Sequence, residues 1–70
     1  MDNLTRTDIE IILAMADYNM NVCAVARSRF MHRNNVLYHI KKVKSITGMD
    51  ATKFYDLCKL IQMVKEADNP

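Results

Sequence analysis

Seventy residues with no disulfide framework make one small domain whose core is modest for its surface. One glycine, one proline and few β-branched alternations leave little material for sheets, so the chain reads as all-α. The net charge of +2 hides three unlike stretches. Met1 to Asp17 holds four acids and one base, and Asp50 to Pro70 four acids and three bases. Between them, Tyr18 to Met49 holds no acid and six bases: Arg27, Arg29, Arg33, Lys41, Lys42 and Lys44. A block this basic is the electrostatic footprint of a polyanion partner, set against a merely solvated basic face.

Other classes are excluded by what is missing. No apolar run is long enough to span a bilayer, and "MDNLTRTDIE" carries acids where a signal peptide carries bases, which points to a cytoplasmic protein. Cys23 and Cys58 fit no redox motif and are expected to be reduced and buried. With His32 and His39 they lack the paired short intervals of a metal site. No nucleophile stands with a base and an orienting partner, and no glycine loop would cradle a phosphate. An enzyme, a cofactor and a small-molecule ligand are therefore not expected.

The first helix is predicted over about 6–18. Thr7-Asp8-Ile9-Glu10 fits a capping box, and Thr5 with Asp8 offers a competing start. Ile9, Ile12, Leu13 and Ala16 recur at helical spacing and form the expected apolar stripe, with Asn19 suited to the left-handed C-terminus. The second helix, about 22–29, starts from Asn21 as N-cap and turns Val22, Val25 and Ala26 inward. The third, about 33–46, opens at His32 or Arg33, buries Val36, Ile40 and Val43, and closes on Gly48. The fourth, about 52–66, follows Asp50 or Thr52; Phe54, Leu57, Cys58, Ile61 and Val64 form its inner stripe, widened by Leu60 and Met63. The tail from Glu66 to Pro70 is expected to fray.

Two short helices, a polar turn and a helix opened by basic and amide side chains outline a helix-turn-helix, whose second helix lies in the DNA major groove. The residue types suit that task. Arg bonds guanine O6 and N7 together, and Asn bonds adenine N6 and N7 together.

"NVCAVARSRFMHRNNVLYHIKKVKSITGMD" resembles the C-terminal helix-turn-helix of the purine-catabolism-regulator (PucR) and sugar-diacid-regulator family, and more distantly the DNA-binding end of the nucleoid protein Fis. The family pattern runs roughly N-V-S-x-T-A-R-x-L-x-[IV]-H-R-N-T-L-x-Y-R-L-x-x-I-x-x-L-T-G. Asn21, Val22, Ala26, Arg27, His32-Arg33-Asn34, Tyr38 and Thr47-Gly48 match it. Met31, Val36, Ile40, Val43 and Ile46 are similar, and no gap is needed from about Asp8 to Asp50. The fourth helix matches in kind but weakly in sequence.

The resemblance implies a bacterial transcriptional regulator, or its DNA-binding domain, acting on double-stranded DNA at the nucleoid. It sets His32, Arg33 and Asn35 at base and phosphate contacts, with Asn34 beside them, and Tyr38 at a phosphate-facing position. Arg27, Arg29, Lys41 and Lys42 are expected to neutralise phosphates, and an exposed Leu37 to meet a thymine methyl. A homodimer through the fourth or first helix is expected, because one module makes too few contacts for tight specific binding.

The departures from the pattern are equally definite. Arg29 replaces a buried Leu and Phe30 a small turn residue, which suggests that Phe30 supplies the apolar cover while Arg29 turns outward. Leu37 and His39 stand where the family has basic residues, and His39 is expected to be structural. These departures motivate a second reading, a helical protein-interaction module of the same shape that no longer binds DNA.

Overall fold

The computed structural model describes residues 4–68 of the chain, with side chains described to Glu66. Among them are four helices: α1 (Arg6–Asp17), α2 (Val22–Ser28), α3 (Arg33–Thr47) and α4 (Phe54–Asp68).

Of the two candidate starts, α1 uses the earlier. The Thr5 side chain accepts a hydrogen bond from the Asp8 amide at 3.2 Å, and the Asp8 carboxylate accepts one from the Thr5 amide at 2.9 Å. This reciprocal box satisfies two amides that the first turn leaves without partners. It also sets the phase of the helix. Asp8, Ile11, Ile12 and Met15 face inward, whereas Leu13 and Ala16 are exposed and Ile9 is half-buried. The predicted stripe of Ile9, Ile12, Leu13 and Ala16 was thus one residue out of phase. The run Ile11-Ile12-Leu13 fits either register by hydropathy, and the polar Asp8 hides the one that is used.

α1 and α2 end in the same motif. The Met20 amide bonds the Met15 carbonyl at 2.6 Å and the Asn19 amide the Ala16 carbonyl at 3.4 Å. After α2, the Met31 amide bonds the Ala26 carbonyl at 2.9 Å and the Phe30 amide the Arg27 carbonyl at 3.3 Å. Both are Schellman closures, which need a left-handed residue just past the helix. Asn19 (φ 55°) and Phe30 (φ 56°) supply it, and Met20 is left-handed as well at φ 62°. The methionine that follows each, Met20 or Met31, packs against the core. Asn21 caps α2 as expected, accepting from the Ala24 amide at 3.1 Å. Gly48 (φ 77°) closes α3, its amide on the Lys44 carbonyl at 2.7 Å.

α4 starts at Phe54, two residues later than predicted, because the side chain of Asp50 captures the backbone first. Asp50 accepts from the Thr52 amide at 2.9 Å and the Thr52 hydroxyl at 2.6 Å, which holds residues 50–53 in a turn. Asp56, in the first turn of α4, reaches back to the Asp50 amide at 3.1 Å. α4 runs on through Asp68, and the rest of the tail expected to fray, Asn69 and Pro70, lies outside the described residues.

Ile11, Ile12 and Met15 of α1 form the core with Val25 and Ala26, with Val36, Ile40 and Val43, with Ala51, and with Leu57, Leu60 and Val64. α1 is the hub that meets each of the other helices, and α2 also packs on α3. Ala26, 5% exposed, lies within this core, where its small side chain suits close helix approach. Three expectations fail here. Phe54 and Cys58 point outward rather than into the core, and Cys23 is exposed as well. Phe30 covers nothing, being 97% exposed. Met31 seals the turn in its place, since the closure puts the residue after the left-handed one against the helix.

Candidate nucleic-acid interface

α3 presents three distinct sides. Val36, Ile40 and Val43 are buried, at the spacing that keeps them on one face. Asn34, Tyr38, Lys41 and Ser45, at the same spacing and opposite that face, are all exposed, Tyr38 to 61%. Arg33 and the half-buried Leu37 stand on one flank, and Asn35, His39 and Lys42 on the other. Asn34 therefore occupies a more outward position than Asn35, whereas the resemblance places Asn35 at the contact and Asn34 beside it.

The front of α3 is electrostatically open. His32 is its N-cap residue in extended conformation, yet its side chain makes no capping bond, and the first turn holds no acid. Arg33 begins the helix, against the preference of the helix dipole for negative charge there. Residues 32–35 at this end are exposed, and so is Arg27 on the last turn of α2, the helix packed on α3.

Among the described residues, two of the six central bases are engaged within the molecule. Arg29 turns outward as expected, but it forms an ion pair with Glu10 of α1, which also meets Arg6 at 3.4 Å. Lys42 reaches Asp8 at 3.0 Å. Arg27, Arg33, Lys41 and Lys44 have no acidic partner among the described residues.

Asp8 is more than the capping acid that the sequence predicts. It is completely buried, and His39 Nδ1 lies 2.6 Å from its Oδ1. An ionised carboxylate only accepts hydrogen bonds, so Nδ1 carries the hydrogen. Burial works against the charge of Asp8. The Thr5 amide, His39, Lys42 and the Thr5 hydroxyl outweigh it and hold the carboxyl at about 2, below its ordinary 3.8. The expectation that His39 is structural is met by this bond, and Tyr38 packs edge-on against its ring at 5.2 Å. One signal was available: Asp8 stands at helical spacing from Ile11, Ile12 and Met15, which puts an acid on the core stripe. Among the described residues no group of three or more metal-ligating side chains comes together, and no helix is long and apolar enough to cross a membrane.

A short helix, a closed turn and a second helix with an open polar front, braced by α1, define a helix-turn-helix domain. The chain belongs to the family of the PucR C-terminal helix-turn-helix domain, whose model matches residues 9–63. The match reaches well into α4, beyond the part where the resemblance is carried by motif. No curated protein and no solved structure matches the chain.

Proposed function

We propose that this domain binds double-stranded DNA sequence-specifically and serves as a transcriptional regulator, or as the DNA-binding part of one. The observation that carries this reading is the outer side of α3 in a domain of this family: Asn34, Tyr38 and Lys41 exposed, with Arg33, which has no acidic partner among the described residues, at a helix start without a side-chain cap. In the major groove, Arg33 and Asn34 would meet base edges, with His32 and Asn35 at the rim and Leu37 toward a thymine methyl. Arg27, Tyr38 and Lys41 would lie along phosphates. Arg29 and Lys42 are weaker candidates than the sequence suggested, because each already has a carboxylate partner. Such a role belongs at the nucleoid, in the cytoplasm of a bacterial cell.

A second copy would extend the contact to a two-fold site. Of the two candidate dimer surfaces, α4 is favoured. Phe54 and Tyr55 are 60% and 79% exposed, with Cys58 on the same outer side, whereas the outer side of α1 is occupied by the Arg6–Glu10–Arg29 ion pairs.

The test is a fluorescence anisotropy titration of random-sequence duplex at rising salt, followed by selection of bound sites. Log affinity should fall linearly with log salt, by about 0.9 for each neutralised phosphate, and Arg33→Ala should cost roughly 1–3 kcal/mol on the selected site. Affinity indifferent to salt would overturn the reading. The exposed Phe30, Phe54 and Tyr55 favour the other reading, a protein-interaction module. A stable complex with a protein partner and no mobility shift on any duplex would establish it.

A further inference from the structure

We infer that Asp8 is a positioning residue for α3, which ties that helix to α1 and, by holding Lys42 and His39, keeps both side chains out of the DNA contact. The inference rests on the DNA-binding reading for its second half only; the tie between the helices is a property of the free protein.

The geometry is that of a small buried charge centre. Asp8 has no exposed surface, and its two carboxylate oxygens are shared among the Thr5 amide, His39 Nδ1 at 2.6 Å and Lys42 Nζ at 3.0 Å. Thr5 belongs to the start of α1, whereas His39 and Lys42 stand three residues apart on one flank of α3. A carboxylate bonded to both sides resists both sliding and rotation of one helix against the other. No buried side-chain polar atom is left without a partner among the described residues, so the centre is complete as it stands.

The same geometry decides where Lys42 goes. A lysine at a DNA surface gains one solvated phosphate contact. If Lys42 left Asp8 to make it, a fully buried carboxylate would lose its lysine partner, and breaking a buried pair costs more than an exposed pair returns. Lys41, one position along and on the outer side, has no acidic partner among the described residues. The two adjacent lysines, equivalent in sequence, are thereby assigned different tasks: Lys41 to the polyanion and Lys42 to the fold.

Asp8→Asn, Lys41→Met, Lys42→Met and the Asp8→Asn/Lys42→Met double variant separate these tasks in two measurements. The first is urea unfolding without DNA. Lys42→Met should lower the midpoint and Lys41→Met should not. The double variant should unfold near the midpoint of Asp8→Asn alone, because the shared interaction is lost only once. The second is the salt dependence of duplex binding. Lys41→Met should flatten the slope by about 0.9, which is roughly 3.5-fold in affinity over a fourfold change in salt. Lys42→Met should leave the slope unchanged, and Asp8→Asn should steepen it as Lys42 is released.

Additive midpoints, or a Lys42→Met slope flattened as much as that of Lys41→Met, would overturn the inference. If Asp8→Asn does not fold, both criteria can still be applied: the slopes of the two lysine variants, and the midpoint cycle repeated with Asp8→Ser. If the wild-type chain binds no duplex, the function proposed above fails, and the midpoints alone decide whether Asp8 ties α3 to α1.

Discussion

Phe30 is the residue that the fold explains least by contact and most by backbone. It occupies the left-handed position of a Schellman closure, where glycine is usual, and it is 97% exposed. Its side chain therefore returns almost nothing for a conformation that costs a bulky residue of order 1 kcal/mol or more. Phe30→Gly should raise stability by about 1 kcal/mol, seen as a higher urea midpoint at unchanged slope. A lower midpoint would show that the ring makes a stabilising contact. Met20 sits in the same backbone region but packs against the core, which gives it a compensation that Phe30 lacks.

At the scale of elements, α4 is the helix with the clearest conflict between pattern and placement. Its apolar residues cover more of the circumference than one core can take. Leu57, Leu60 and Val64 are buried, while Phe54, Tyr55 and Cys58 face outward, the two rings packed edge-on at 5.4 Å. Two exposed aromatics on consecutive positions favour an interface between copies. For the proposed dimer through α4, Phe54→Glu with Tyr55→Glu should give a monomer in sedimentation experiments with no loss of helical signal. An unaltered sedimentation coefficient would remove α4 as the dimer surface. The end of α1, the start of α2 and the end of α3 were readable because Asn19, Asn21 and Gly48 are residues with strong terminal preferences. The start of α4 was not, because Asp50 and Thr52 are good caps that form a turn with each other instead.

The whole molecule depends on α1, which meets all three other helices, and hence on the state of Asp8 within it. Because the carboxyl is held at about 2 against an ordinary 3.8, the native state keeps its charge more strongly than the unfolded chain does. Its contribution is fully present above about pH 4 and is lost as pH falls toward 2, about 2 kcal/mol in all by linkage. Asp50, also lowered, by its bonds to Thr52, acts in the same direction. Urea unfolding between pH 5 and pH 2 should show a steep loss for the wild type and a shallower one for Asp8→Asn. Equal slopes would mean that Asp8 is not the group responsible. For a domain this small, such a loss is a large part of the total stability.

The all-α class, the four helices and the helix-turn-helix family follow from local signals: terminal residues, spacing of apolar side chains, and the run from Asn21 to Gly48. These are properties of neighbours in the chain, and the chain alone determines them. The inward face of α1, the exposure of Phe30, Phe54 and the two cysteines, and the partners of Arg29 and Lys42 were decided only by the tertiary structure. Each depends on which of several equally apolar or equally charged side chains another helix happens to meet. Lys41 and Lys42 are alike in the sequence, and only the buried carboxylate on α1, thirty-odd residues away in the chain, makes them different.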